Sequence, residues 1–428
     1  MTKSLTALTS GLAKRNPRLR RALRTTMRQA QAARVRLTAR GNIEPRTATF
    51  TSFLGLSYNG SPRAIYEHLL SDPRFADWRF TWAFATPAVA IEEFTALLDE
   101  RTTVVTYRSG KFHRAVTRGA WYVTNSLPAD YLQTRQGQAL LQTWHGTPFK
   151  RLGADIIDAT SNATNSKNEI VSRYRRAGHQ ATYFLSSSQF TSDKFASAFL
   201  LSAEDAASKI LPLGNPRNDV LAQSSGSARD ETRARLGVSA DRTAILYTPT
   251  WRDDSHSAGQ GFVHALDVDL DLLHRELGKD HVLLFRTHYL IANTLDFSRW
   301  GDFVVDVSGY PEINDLYAAS DLLVTDYSSA VFDYVITDKP MVFLMQDLEQ
   351  YRDTVRGLYF DPDKLPGPIV RDTAGLAAAA RSTRERASAE QTKRAVFRAN
   401  FSTWDDGGAS ERVASLMLRG SMIQGDGK

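Results

Sequence analysis

The stretch Leu140–Gly153, LLQTWHGTPFKRLG, is the part of the sequence that indicates most about the fold and the site. Its apolar start predicts a buried strand over Leu140–His145, and the Gly-Thr-Pro that follows forces the chain to turn. His145 would then stand at the carboxyl end of a strand, where open α/β sheets bind their ligands. Histidine titrates near neutral pH and suits general-base catalysis. A lone histidine beside a core tryptophan is more often structural, but the turn and the cations Lys150 and Arg151 favour a catalytic site.

The composition is that of a globular protein. The chain has 428 residues, of which 42% are hydrophobic and 23% are charged. It has no cysteine, which excludes disulfides, thiolate catalysis and zinc–thiolate sites. No apolar run approaches the roughly 20 residues of a membrane-spanning helix. Residues 1–10 also lack the apolar core of a signal peptide.

The basic charge of the chain is concentrated at its N-terminus. Residues 1–46 hold 12 Lys or Arg and one acid, so they carry +11, while the remainder carries −5. Apolar residues recur there at helical spacing, which predicts a basic amphipathic helical segment. We interpret residues 1–46 as an element that binds an anionic membrane surface. A mobile or nucleic-acid-binding tail is the alternative, but no aromatic residue interleaves these arginines.

From Thr47 onward, short apolar runs alternate with helical patterns. The first series predicts a helix over Ser61–Leu70 and strands over 47–55, 80–84, 102–107, 121–124, 140–145, 183–187 and 210–213. After the polar stretch Ser224–Asp230, a second series predicts strands over 244–247, 282–286, 303–307, 322–325 and 341–344, then helices over 382–401 and 410–418. Such alternation is typical of parallel sheets covered by helices. We therefore predict an α/β protein with two doubly wound domains, 47–225 and 226–428, that face each other across a cleft.

Polar residues follow several further predicted strands. They are Arg217 in GNPRND (214–219), Pro249 and Thr250 in YTPTWRD (247–253), Arg286, Thr287 and His288 in FRTH (285–288), and Ser328 and Ser329 in VTDYSSAVFDY (324–334). The two serines open a predicted helix, whose N-terminus is suited to bind phosphate. Asp333 lies four residues after Ser329 on the same helix face, which predicts that it accepts ribose hydroxyls. With Arg217, Arg286 and His288 nearby, the pattern predicts a diphosphate site. No Walker A motif, G-x-G-x-x-G motif or acidic metal cluster is present.

Together these blocks resemble the CDP-glycerol glycerophosphotransferase family, the teichoic acid polymerases and primases of bacterial walls. The resemblance includes QTWHGTPFKRLG (142–153) and weaker blocks at 339–344 and 356–361, and it covers roughly residues 50–415. It implies a GT-B-like fold with two facing Rossmann-like domains, the second holding most of the nucleotide. It also implies that His145 is the catalytic base, that His288 acts beside the leaving phosphate, and that the substrate is bound by Trp144, Gly146, Thr147, Pro148, Arg217, Pro249, Thr250, Arg286, Thr287, Ser328, Ser329 and Asp333. Tyr289 departs from the family, many of whose members carry proline there.

The implied reaction transfers glycerol phosphate from CDP-glycerol to a hydroxyl of a lipid-linked wall polymer and releases CMP. The resemblance thus implies a peripheral protein at the cytoplasmic face of the cell membrane. No nucleic acid partner is expected, because no aromatic residue interleaves the N-terminal arginines. No cofactor or metal site is expected, although the sequence leaves a role for Mg²⁺ open. A transferase using CDP-ribitol or another polyol phosphate would carry the same motifs, and a nucleotide-sugar glycosyltransferase would share the fold. A non-catalytic wall-binding protein is a further alternative, which the presence of both histidines and both serines disfavours.

Overall fold

The structure of the protein is a computed structural model. It describes residues 26, 29–33, 35–86, 94, 99–157, 166–223, 226–250, 256–257, 261–262, 268–287, 296–348 and 357–425. Most of the basic N-terminal segment, His288 and Tyr289 lie outside these ranges. Among the described residues, no helix combines the length and apolar character needed to cross a membrane.

The first domain is built on a parallel sheet of seven strands in the order β3-β2-β1-β4-β5-β6-β7. The strands are β1 Glu44–Thr51, β2 Arg79–Phe84, β3 Thr102–Thr106, β4 Gly119–Thr124, β5 Ala139–Gln142, β6 Tyr183–Leu185 and β7 Ile210–Leu211. The helices of this part are α1 Gly60–Ser71, α2 Gly110–Arg118, α3 Lys167–Gln180, α4 Gln189–Ala198 and α5 Ala203–Lys209. The central strand β4 is buried along its whole length, as expected of a parallel strand covered on both faces.

The second domain contains a parallel six-stranded sheet in the order β12-β11-β8-β13-β14-β15. Its strands are β8 Thr243–Thr248, β11 His281–Phe285, β12 Val304–Asp306, β13 Leu322–Thr325, β14 Met341–Leu344 and β15 Ile369–Val370. A separate antiparallel pair consists of β9 His256–Ser257 and β10 Gly261–Phe262. The remaining helices are α6 Asp219–Ala222, α7 Gly226–Leu236, α8 Leu270–Leu277, α9 Ile313–Ala319, α10 Ala330–Tyr334, α11 Thr373–Arg381, α12 Thr383–Phe401 and α13 Ala409–Gly425.

The strand order reverses once in each sheet, between β1 and β4 and between β8 and β13. Ligand crevices of doubly wound sheets open at such reversal points, beyond the carboxyl ends of the strands. The predicted architecture of two doubly wound domains is confirmed. The helices predicted over 61–70 and 382–401 are confirmed as α1 and α12, each within one residue at either end.

The first strand differs from its prediction at both ends. The strand begins at Glu44, so the basic segment is not helical as far as residue 46. The strand ends at Thr51 rather than at residue 55. A 3₁₀ turn over Phe53–Gly55 follows, in which Phe53 and Leu54 take positive φ angles of 44° and 60°. The Phe53 N–H donates to Oδ1 of Asn125 at 2.8 Å instead of to a neighbouring strand, which ends the pairing.

Two segments cross between the domains. Phe149, which follows the β5 strand, is 2% exposed and packs in the core of the second domain with Tyr327 and Phe332. Helix α13 packs in the opposite direction, into the core of the first domain, where its apolar side chains join the cluster that contains Phe50 and Trp121. The prediction that assigned residues 226–428 to the second domain is therefore wrong for α13. Its apolar residues Val413, Ala414 and Met417 share one helix face, and the first sheet buries that face.

Candidate active site

His145 stands three residues beyond the end of β5, in a loop between the two sheets. The preceding Trp144 has a positive φ of 52°, a conformation that is uncommon outside glycine, and its N–H donates to Oε1 of Gln142 at 2.9 Å. The indole of Trp144 is buried and stacks on the His145 ring with a centroid distance of 4.4 Å. Phe53 approaches the same ring at 5.8 Å. The packing of these rings fixes the plane of the imidazole.

A single hydrogen bond fixes the tautomer of His145. Its Nδ1 lies 3.0 Å from the carbonyl oxygen of Asn125, which follows β4. A carbonyl oxygen only accepts hydrogen bonds, so Nδ1 of the neutral ring carries the proton and Nε2 keeps its lone pair. His145 is exposed to the cleft, but the surrounding protein removes much of its hydration, which together with the charge of Arg217 lowers its pKa. The ring is thus an unprotonated base at neutral pH.

Gly146 brings groups from distant parts of the chain beside His145. Its φ is 139°, and a methyl group at its Cα would lie 2.9 Å from Nη2 of Arg217 and 3.4 Å from Oγ of Ser329. No side chain fits at this position without displacing one of these groups. The base, the arginine and the serine therefore meet at one place in the cleft, as the sequence predicts.

The other residues of the WHGTP block support the loop rather than facing the cleft. Trp144 is 6% exposed, within the first domain's core, and Thr147 is 1% exposed. The Thr147 hydroxyl lies 2.8 Å from the hydroxyl of Ser187. Pro148 is also buried. We expected Trp144, Thr147 and Pro148 to bind substrate, and the structure corrects this. Their side chains are buried and anchor the His145 loop.

Arg217 is held by an ion pair that the sequence analysis missed. Its Nη2 contacts Oδ2 of Asp333, and both side chains are almost fully buried. The other carboxylate oxygen of Asp333 accepts a hydrogen bond from Nδ2 of Asn218 at 2.8 Å. Asp333 is 3% exposed, so the ribose-binding role expected for it is replaced by one of orienting Arg217. The reason is burial: the helix face that carries Asp333 packs against the Arg217 loop instead of facing a ligand.

The ends of β8 and β13 are joined by a carboxylate. Asp326, which directly follows β13, accepts from the N–H of Thr250 at 2.9 Å and from its hydroxyl at 3.0 Å. These bonds fix the turn that contains Pro249, and both Pro249 and Thr250 are half-buried at the edge of the crevice. The two residues are therefore located at the strand reversal of the second sheet, where a nucleotide is expected.

Arg286 and Thr287 follow β11 at the same edge. The guanidinium of Arg286 donates from Nη1 to the carbonyl oxygens of Val307 at 3.0 Å and Tyr310 at 2.7 Å. The Thr287 N–H donates to Oγ of Ser308 at 3.0 Å. Burial lowers the pKa of Arg286, because no carboxylate among the described residues forms an ion pair with its guanidinium. A phosphate would supply the missing counter-charge.

Ser328 and Ser329 precede a helix, as the sequence predicts, but that helix is short. Helix α10 has five residues and continues as a 3₁₀ turn over Val335–Thr337. Ser329 occupies the N-cap position without capping the helix through its side chain, and Oγ of Ser328 accepts from the N–H of Ala330 at 3.2 Å. Both serines are half-buried. The hydroxyl of Ser329 therefore points toward Gly146 rather than into its own helix.

Within the described residues, one group of side chains has the spacing of a metal site, namely His68, Asp72 and Glu411. Arg74 already contacts both carboxylates, at 2.5 Å to Asp72 and 2.6 Å to Glu411. The cation of this cluster is thus an arginine, and the cluster lies at the outer surface between α1 and α13.

Sequence reasoning missed Asn125, Asn218 and Asp326. Asn125 and Asp326 directly follow a strand, and Asn218 lies inside the GNPRND block, so their position was a usable signal.

Comparisons with known proteins give a consistent result. The family model described as CDP-glycerol:poly(glycerophosphate) glycerophosphotransferase matches residues 33–419. The teichoic acid poly(glycerol phosphate) polymerase of Staphylococcus epidermidis is 34% identical over 383 residues, which are 88% of this chain and 51% of that protein. The chain therefore spans about half the length of that relative. The teichoic acid glycerol-phosphate transferase of Staphylococcus aureus is 34% identical over 86% of this chain and 92% of its own.

Among solved structures, that of the wall teichoic acid polymerase TagF, soaked with a compound abbreviated CDPG, superimposes with a TM-score of 0.83. The two chains are 32% identical, and the match covers 97% of this chain and 98% of the other. The GT-B-like arrangement expected from the sequence is confirmed by this similarity together with the two observed sheets.

Proposed function

Because the chain belongs to the CDP-glycerol:poly(glycerophosphate) glycerophosphotransferase family, we propose that it transfers glycerol phosphate from CDP-glycerol to a polymer hydroxyl and releases CMP. The observation that carries the proposal is the meeting of His145, Arg217 and Ser329 around Gly146. It combines an unprotonated base with a cation and a hydroxyl, which are the groups a phosphoryl transfer to an alcohol uses.

In the proposed reaction, the acceptor hydroxyl attacks the phosphorus atom next to glycerol. His145 Nε2 takes the proton of that hydroxyl while the new oxygen–phosphorus bond forms. The bond from this phosphorus to the oxygen bridging the two phosphates breaks, and CMP leaves with that oxygen and its negative charge. General-base catalysis of this kind contributes about 10²–10⁴-fold. Cations and hydroxyl groups around the diphosphate stabilise the charge that develops on CMP.

The donor phosphates are proposed to lie between Gly146 and the crevice edge of the second sheet. Arg217, Ser328 and Ser329 would contact them, with Arg286 and Thr287 at the adjoining strand end. Pro249 and Thr250 would border the nucleotide. His288 keeps its predicted role beside the leaving phosphate, because it follows Thr287 in the chain, although it lies outside the described residues. No metal is assigned to the reaction, since the site already contains two arginines.

Glycerol is proposed as the polyol because the relatives at 34% identity are named for glycerol phosphate. A relative named as a poly(ribitol-phosphate) polymerase is 27% identical over a similar length. A ribitol donor is therefore the second candidate. The acceptor is proposed to be a lipid-linked polymer at the cytoplasmic membrane face, reached through the basic N-terminal segment.

A direct assay tests the donor. Purified protein is incubated with a short poly(glycerol phosphate) acceptor and either CDP-glycerol, CDP-ribitol or a UDP-sugar, with EDTA or with Mg²⁺. We expect CMP release with CDP-glycerol, at similar rates in EDTA and in Mg²⁺. CMP release with CDP-ribitol alone would replace glycerol by ribitol, and UDP release from the sugar nucleotide would contradict the proposal.

A further inference from the structure

A buried carboxylate outside the site described above lies behind Arg217. Asp405, in the loop between α12 and α13, is 2% exposed. Its Oδ1 accepts the N–H of Asn215 at 2.6 Å, and its Oδ2 accepts from the amide groups of Asn218 at 2.9 Å and Asn215 at 3.3 Å. All three donors are uncharged. A carboxylate held in this way is costly to bury, which is evidence that its contacts matter.

Asn218 connects this carboxylate to the active site. Its Nδ2 donates to Asp405 and also to Oδ1 of Asp333 at 2.8 Å. Asp333 in turn pairs through Oδ2 with Nη2 of Arg217. An amide nitrogen has two hydrogens, so both bonds form at once. The result is a continuous chain of contacts from Asp405 to the guanidinium that faces Gly146.

Two further contacts tie the same loop to the residues around Arg217. Both oxygens of Asp219 cap helix α13, accepting from the N–H of Ala409 at 2.9 Å and of Ser410 at 2.7 Å. Gly214 has a φ of 80°, and a methyl group there would lie 2.3 Å from the carbonyl oxygen of Trp404. The GNPRND block and the loop before α13 therefore form a single packed unit.

We propose that Asp405 is a positioning residue for donor binding, which holds Asn218 and Asp333 so that the Arg217 guanidinium stays beside Gly146. The proposal rests on the proposed function, since it is the donor diphosphate that Arg217 would contact. Burial and the nearby Asp333 raise the pKa of Asp405 to about 7, as expected for a carboxylate whose hydrogen-bond donors in the described part of the chain are uncharged. Such a group keeps its place through geometry and not through charge pairing.

The test is Asp405→Asn in the full chain. The amide nitrogen of the new asparagine cannot accept a hydrogen bond, so it would face the N–H groups of Asn215 or Asn218 without pairing with them. Asn218 would then no longer be held in place, and Asp333 would lose the fixed hydrogen bond that it receives from Asn218. We expect the KM for CDP-glycerol and its dissociation constant by calorimetry to rise about 10–100-fold, the range for loss of a hydrogen bond to a charged group. The matched control is Asp406→Asn. Asp406 is the next residue, its side chain is 59% exposed, and it pairs with Arg412, so both constants should stay within about twofold.

A double-mutant cycle separates positioning from general destabilisation. In an Arg217→Ala background, Asp405→Asn should add little further loss of donor affinity, because its effect passes through Arg217. Asn218→Ser, measured in parallel with its melting temperature, should reproduce the loss if Asp405→Asn folds poorly. Unchanged donor affinity in both single variants, or losses that multiply in the Arg217→Ala background, would overturn the inference. Absence of wild-type turnover with CDP-glycerol would instead overturn the proposed function and the donor role with it.

Discussion

The two sides of the cleft hold their functional side chains by different means. On the base side, His145 is fixed by the stacked Trp144 ring and by one hydrogen bond to the carbonyl oxygen of Asn125. On the donor side, Arg217 is held by a buried network of carboxylates and amides. The base can therefore be removed without disturbing its surroundings, whereas the donor side responds as a unit.

The largest difference between the two sides of the cleft is expected for His145→Ala, which removes the base. We expect turnover to fall by about 10²–10⁴-fold, because the acceptor proton loses its base. Donor affinity should stay nearly unchanged, because the imidazole has no part in the network around Arg217. A CMP-release assay and calorimetry with CDP-glycerol measure the two quantities separately. His179→Ala, an exposed histidine on α3, is the control. Near-wild-type turnover in the His145 variant would rule this residue out as the base.

The donor side should show the opposite behaviour. Ser328→Ala and His288→Ala should each weaken donor binding by about 1.5–3 kcal/mol, because each removes a bond to a charged phosphate. Turnover should fall with them at subsaturating donor. Calorimetry with CDP-glycerol measures the loss, and Ser208→Ala, an exposed serine on α5, should bind normally. If both variants keep wild-type affinity, the diphosphate lies elsewhere and the assignment of the two sides fails.

The base side rests on a local sequence pattern, whereas the donor side rests on contacts between residues that are distant in the sequence. This difference explains which features could be predicted from the sequence. The position of His145 after a buried strand is a local pattern, since an apolar run followed by Gly-Thr-Pro is visible within ten residues. The alternation of strands and helices likewise predicts both sheets. The partner of Arg217 is 116 residues away, and Asn218 and Asp405 are 187 residues apart. No local periodicity encodes such pairs, and the docking of α13 onto the first domain was missed for the same reason.

The pH dependence of turnover is a smaller effect, and it depends on both His145 and Arg217. Removal from water and the charge of Arg217 both lower the pKa of His145, so the neutral and active form persists below the ordinary value of about 6.5. The acid limb of kcat/KM for CDP-glycerol, which reports the free enzyme, should therefore lie below pH ~6.5. In Arg217→Ala, one of the two causes is removed, and the limb should move to higher pH. A limb above ~6.5 in the wild type, or one that does not respond to Arg217, would contradict this coupling.

Removal of the N-terminal segment should change neither donor binding nor the action of the base. The structure shows which residues can be deleted without removing part of the fold. Val35 is 6% exposed and packs in the first domain's core, and Arg135 donates to the carbonyl oxygens of Ala39 and Gly41. Since β1 begins at Glu44, deletion of residues 1–46 would remove part of the fold along with the basic charge. Deletion of residues 1–28 spares these contacts and still removes eight Lys or Arg and no acid.

We therefore expect the 1–28 deletion to lose binding to anionic liposomes while it keeps turnover on a short soluble acceptor. The segment carries +8 and the remaining chain −2, so an anionic surface would repel what is left. Binding of the full chain should fall steeply with salt, because charge attraction is screened over about 8–10 Å near physiological ionic strength. Liposome flotation of both proteins at low and high salt is the measurement, with neutral liposomes as the control. Flotation of the truncated protein equal to that of the full chain would place membrane attachment on the two domains themselves.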